Sequence, residues 1–139
     1  MPELKKPEKL ETKKVEKKEK HILIVDDDTS VSRALDMIVF KYGKRSIVDS
    51  GNKAIKFLKF RTPDLILTDF EMQDGNGLEL LEYVRSHNIK APIIMITAFA
   101  TKELVLSMIK QDIFGVIVKP FNQALVESLV EEALSGPTP

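Results

Sequence analysis

The sequence predicts an α/β fold: a parallel sheet of five strands with helices on both faces. Two observations predict it. Short continuous apolar runs recur, as strands buried on both faces require, and between them the apolar spacing switches to the helical period. Strictly alternating strand and helix units with short joints make a parallel sheet with right-handed crossovers.

The units can be followed in order. Ile22 to Val25 is the first apolar run. Val31, Ala34, Leu35, Ile38, Val39 and Tyr42 follow at helical spacing, with Thr29 or Ser30 available as N-cap and Gly43 as the stop. Arg45 to Val48 is a weaker strand, and Ala54, Ile55 and Leu58 mark a helix that ends before Pro63. Leu65 to Leu67 is the second strong run and closes on Thr68-Asp69. Gly77 to Arg85 is helical, with Leu78, Leu81 and Val84 expected inward. Ile93 to Ile96 is the third strong run, and Thr101 to Lys110 is helical, with Leu104, Val105, Met108 and Ile109 apolar. Val116 to Val118 is the last strand. Leu125, Leu129, Val130 and Ala133 define the last helix, before a closing Gly-Pro-Thr-Pro.

Charge divides the chain in two. Residues 1–20 hold eight Lys and five Glu and too few apolar side chains to offset the entropy of ordering, so they read as a charged, flexible tail. The remainder carries a net charge of −3, which argues against nucleic acid as a direct partner. The absence of cysteine excludes disulfides and thiolate metal sites, and fits a reducing, cytoplasmic compartment. No apolar run is long enough for a membrane span or a signal peptide. The expected organisation is a tail over 1–20, one domain over 21–135 and a short tail or linker start over 136–139.

In open parallel sheets the chemistry lies beyond the carboxyl ends of the strands. There the first strand delivers Asp26, Asp27 and Asp28, the third Asp69, the fourth Thr97 and the fifth Lys119. Asp28 is best read as the cap of the following helix. Asp26, Asp27 and Asp69 would repel one another unless a divalent cation, or a cation such as the Lys119 ammonium, sits among them. A carboxylate beside a hard cation, a lysine and a hydroxyl is equipped to accept a phosphoryl group. His21 and His87 read as surface residues, and Asp74-Gly75-Asn76-Gly77 reads as a turn into a helix.

From His21 to Leu134 the chain resembles a response-regulator receiver domain of two-component signalling. The matching pieces are ILIVDDD at 22–28, PDLILTDFEMQDGNGLELL at 63–81, PIIMITA at 92–98 and VKPF at 118–121. The resemblance implies a flavodoxin-like (βα)5 three-layer sandwich with strand order 2-1-3-4-5. It implies Asp69 as phosphoacceptor, and Asp27, Asp69 and the Glu71 backbone carbonyl as ligands of Mg²⁺ or Mn²⁺, with Asp26 bound through water. It implies Thr97 as the switch hydroxyl, Lys119 as the phosphate-binding lysine and Pro120 as a cis-proline position. The phosphoryl donor would be a sensor histidine kinase, a phosphotransfer protein or a small acyl phosphate. Catalysis would be limited to self-phosphorylation and autodephosphorylation. The output would be an unknown partner, a missing output domain or a phosphorylation-dependent dimer.

Some positions depart from the pattern. Gln73 stands where proline is common, and Asn76 where aspartate is common. Asp112-Ile113 replaces the usual Gly-Ala. Val116 replaces the aromatic ring that normally moves with the threonine, and Phe114, which shares its strand parity, is a candidate partial substitute. In the family the positions of Glu71 and Phe99 flank the path of hydrolytic water, and the resemblance implies that these two residues tune phosphoryl lifetime. Two alternatives follow. One is a phosphorylation-independent module of the same fold. The other is an enzyme of the haloacid-dehalogenase type, disfavoured because only Glu127, Glu131 and Glu132 follow the lysine, all on a helix.

Overall fold

The computed structural model describes residues 19–136, so the reading of 1–20 as a tail falls outside the described residues except at Glu19 and Lys20, and that of 136–139 except at Gly136. The elements are β1 (His21–Val25), α1 (Thr29–Val39), a 3₁₀ turn (Phe40–Tyr42), β2 (Lys44–Val48), α2 (Gly51–Leu58) and β3 (Leu65–Asp69). They continue with α3 (Gly77–Ser86), β4 (Ile93–Thr97), α4 (Lys102–Lys110), β5 (Gly115–Val118) and α5 (Gln123–Leu134). The strands form one sheet in the order β2-β1-β3-β4-β5, all neighbours parallel, as expected.

The apolar runs are continuous because both faces of the central strands are covered. Ile22, Ile24, Leu65, Leu67, Ile94 and Ile96 face α1 and α5, where Leu35, Val39, Val126 and Val130 meet them. Leu23, Val25, Ile66, Ile93 and Met95 face the other way, onto Ala54, Leu58, Leu80, Leu81, Val84 and Met108 of α2, α3 and α4. β3 and β4 are buried along their whole length, whereas β2, at the sheet edge, is not buried at any residue. That is why β2 carried the weaker signal.

One inward assignment shifts, in α3, and α4 and α5 bury only part of the apolar pattern that marks them. In α3 Leu80, Leu81 and Val84 are buried and Leu78 only partly so. In α5 the buried stripe runs Val126, Val130, Ala133, and Leu125 is 43% exposed. Both helices are rotated slightly from the phase that the apolar residues alone suggested. In α4 only Met108 is fully buried, and Leu106 and Ile109 are exposed, because this helix meets the sheet over a small area.

Caps explain the helix starts. Asp28, rather than Thr29 or Ser30, caps α1, accepting from the Ser30 and Val31 amides at 2.9 and 3.4 Å. Asn76 and Glu79 form a reciprocal capping box on α3. Past α4, Asp112 adopts φ 65°, the left-handed region that glycine favours. Asp112→Gly is expected to stabilise the fold by about 0.5–1 kcal/mol, read as a rise in Tm of a few degrees. A fall would show that the aspartate side chain matters more than the backbone.

Candidate functional site

The parallel register brings all carboxyl strand ends to one edge. Asp69 is the last residue of β3 and pairs laterally with Ile96, one residue before Thr97. Thr97 pairs with Val118, one residue before Lys119. Asp26 follows β1 directly, its amide bonded to the Val48 carbonyl at 3.1 Å.

Asp26 and Asp69 are 2% and 4% exposed, and Asp27 lies at the surface beside them. The three carboxylates each place an oxygen within 4.8 Å of the others. The Lys119 Nζ lies 3.1 Å from Asp69 Oδ1 and 3.6 Å from Asp26 Oδ2. Those two oxygens are buried and have no well-aligned hydrogen bond. The other Asp26 oxygen accepts from the Asp28 amide at 2.8 Å. The ammonium thus contacts two of the three carboxylates, and the cluster is left with excess negative charge.

The electrostatic consequences follow. Burial, then the charge of Asp26, pushes the Asp69 carboxyl up to about 6, against the pull of Lys119. Burial also raises Asp26, opposed by the Asp28 amide and Lys119. Burial works against the Lys119 charge, but the close contact with Asp69 and the charge of both carboxylates outweigh it and raise its pKa. A divalent cation fits this donor set: hard oxygen ligands, unmet charge and two buried oxygens without aligned donors. Asp27 and Glu71 line one open depression with Phe70, Met72, Gln73 and Asn76, which puts the Glu71 loop next to the carboxylates.

Thr97 is fully buried, and its hydroxyl is held by the next loop. Its Oγ1 accepts from the Phe99 amide at 3.1 Å and donates to the Phe99 carbonyl at 3.3 Å. The Phe99 ring is 68% exposed. The Lys119 amide donates to the Thr97 carbonyl at 2.8 Å, and the Lys119–Pro120 peptide is cis.

Val116 is partly buried against the α2–α4 side of the core. Phe114 does not stand in for a missing ring. It precedes β5, its amide bonds Ile93 at the opposite end of β4, and it lines a depression with Ile89, Pro92 and Asp112. Parity put it on the right face, but some four residues of strand separate it from Thr97, about 13 Å. His21 is half-buried and bonded to Ser46, whereas His87 is exposed. Glu127 and Glu131 of α5 bind Lys41 and Tyr42 and do not join the carboxylate cluster.

Sequence reasoning missed the backbone of the β3–α3 loop. The Gln73 amide donates to Asp27 Oδ2 at 3.2 Å, and the start of α2 bonds the same loop at Asp74 and Gly75. The glycines at 51 and 75 were the only sequence signal for that approach.

Comparison with known proteins agrees with this geometry. Residues 22–131 match the response regulator receiver domain family. The regulatory protein AtoC of Escherichia coli K12 is 31% identical over 81% of this chain and 25% of its own length. The DNA-binding transcriptional regulator NtrC of Klebsiella pneumoniae is 32% identical over 81% of this chain and 24% of its own. The chain thus spans about a quarter of the length of these curated relatives. A CheY-like receiver domain protein from Methanospirillum hungatei JF-1 superposes with a TM-score of 0.79 at 27% identity, covering 85% of this chain and 95% of that one. The receiver domain of a histidine kinase from Syntrophus aciditrophicus gives 0.76 at 28% identity, covering 84% and 91%. Such domains accept a phosphoryl group on an aspartate and are phosphorylated by histidine kinases, generally with Mg²⁺ at an acidic pocket. By sequence, topology and site geometry, this chain belongs to the response regulator receiver domain family.

Proposed function

We propose that Asp69 is the phosphoacceptor of this receiver domain. The observation that carries the reading is the close packing of Asp26, Asp27 and Asp69 around two buried carboxylate oxygens, with Lys119 3.1 Å from Asp69. A lone pair of the Asp69 carboxylate forms the new O–P bond as the bond from phosphorus to the donor's histidine nitrogen or acyl oxygen breaks. The leaving group keeps that electron pair.

Asp26, Asp27, Asp69 and the Glu71 carbonyl would hold Mg²⁺ or Mn²⁺, and the bound cation supplies charge neutralisation for the phosphoryl oxygens. The Lys119 ammonium, already between Asp26 and Asp69, donates to a phosphoryl oxygen. The Thr97 hydroxyl leaves Phe99 and donates to another. Because both of its current bonds go to Phe99, that turn loosens the loop carrying an exposed ring. With Val116 in place of an aromatic residue, Phe99 is the group we assign to the switch. Glu71 and Phe99 then also set access of hydrolytic water.

The donor is a histidine kinase or phosphotransfer protein. The exposed Leu106, Ile109, Val118 and Leu125 of α4, β5 and α5 offer a surface for the downstream partner or a second copy. The phosphorylation-independent alternative is not favoured, since no member of the carboxylate, threonine and lysine set is missing. Among the described residues no helix is long and apolar enough to cross a membrane. The reading is tested by intact mass after incubation with Mg²⁺ and acetyl phosphate. One added phosphoryl group, lost with EDTA present, is expected. No adduct, together with no beryllofluoride complex, would contradict it.

A further inference from the structure

We propose that the loop between β3 and α3 is clasped to the start of α2, and that the clasp aims the Gln73 amide at Asp27. Gln73, through its backbone, and Asn52 are then positioning residues for the metal-binding carboxylates. The inference rests on the reading of Asp27 as a cation ligand.

Asp27 is exposed, so its side chain has little packing to select one rotamer. Its Oδ2 accepts from the Gln73 amide at 3.2 Å, which holds one carboxylate orientation. Family members with proline at this position have no amide hydrogen there and cannot make the bond. The departure at Gln73 therefore adds a donor to the site.

That donor is held in place from outside the loop. The Gly51 amide donates to the Gly75 carbonyl at 3.0 Å, and the Asn52 amide to the Asp74 carbonyl at 3.4 Å. The Asn52 side-chain amide also donates to the Asp74 carboxylate. Gly75 has φ 81°, and a Cβ there would lie 2.8 Å from the Asn52 nitrogen. A Cβ on Gly51 would run into the Gly75 carbonyl. Two glycines thus allow a backbone contact that side chains would prevent. The helix side of the clasp is rigid, since Ser50 caps α2 and Ala54 and Leu58 lie in the core. The path runs from that helix through Asn52, Asp74 and Gln73 to Asp27.

The test is a calorimetric Mg²⁺ titration of the full chain without phosphodonor, with metal-free melting in parallel. Gln73→Pro removes the amide donor and is expected to weaken Mg²⁺ binding about tenfold, the low end for outer-shell partners of metal ligands. Gln73→Ala keeps the amide and should bind as wild type does. Asn52→Ala removes the side-chain bond of the clasp while keeping its backbone bonds, and should weaken binding about threefold, within the effect of one lost hydrogen bond. If wild type binds Mg²⁺ and both Gln73→Pro and Asn52→Ala bind equally well, the clasp is overturned and the site reading stands. Equal weakening in Gln73→Ala and Gln73→Pro would overturn the assignment to the amide. Should Gln73→Pro fail to melt cooperatively, Asn52→Ala decides. If wild type takes up no Mg²⁺, the site reading itself fails, and the clasp with it.

Discussion

Asp69→Asn is expected to take up no phosphoryl group from acetyl phosphate and, without metal, to melt above the wild type near neutral pH. The first effect follows from chemistry, since a carboxamide oxygen is a far weaker nucleophile than a carboxylate and cannot form the acyl phosphate. The second follows from the raised pKa. The unfolded chain releases the Asp69 proton near pH 4, about the ordinary carboxylate value. The folded protein holds it to about 6 because of burial and Asp26. Ionisation therefore costs stability as pH rises between those values, and above the upper one the full cost persists. Asparagine removes the charge and with it about 1–3 kcal/mol of that cost. The advantage should be nearly gone near pH 4, where the unfolded carboxyl is itself about half protonated, and vanish below it. It should narrow when Mg²⁺ stabilises the wild type. Thermal melts of both proteins across that range, with and without Mg²⁺, give the comparison. A mutant less stable than wild type near neutral pH would contradict the electrostatic account.

Gly77→Ala carries the second large effect. Gly77 opens α3, and its amide donates to the Phe70 carbonyl at 2.8 Å. A Cβ there would sit 2.7 Å from the Asp69 carbonyl oxygen, 2.7 Å from the Met95 sulfur and 2.9 Å from the Phe70 Cα. The methionine can turn away, but the Asp69 and Phe70 backbone is fixed by the bond from the Phe70 amide to Ile96. The added methyl must therefore push apart β3 and α3 at the residue that carries the reactive carboxylate. A loss of about 2–3 kcal/mol is expected, or roughly 10 °C in Tm for a domain of this size. Phosphoryl uptake should fall further than the population of folded protein explains. Unchanged melting and uptake would mean that the helix start has more room than the backbone contacts indicate.

The central strands were legible because sheet residues covered on both faces must be apolar without interruption. Their register then placed Asp26, Asp69, Thr97 and Lys119 at one edge, so the side chains of the site could be read before the fold was seen. Helix faces were read less well. Leu125, one of the residues that mark the last helix, is exposed, while Val126 is buried, since apolar residues on both sides of a stripe leave its phase open. Phe114 failed for a different reason: parity reports a face, not a position along the strand. The Gln73 amide and the contact of Gly51 with Gly75 were not legible, because every residue but proline carries a backbone donor. Only the folded chain decides which of those donors meets a carboxylate.

The most direct measurement identifies the phosphorylated residue. The wild type is phosphorylated with acetyl phosphate and Mg²⁺, reduced with borohydride, which converts an acyl phosphate to the alcohol, and digested for peptide mass analysis. Homoserine at position 69 alone is the predicted result. Homoserine at position 26, 27 or 28, or unmodified aspartate throughout after confirmed uptake, would contradict the assignment of Asp69.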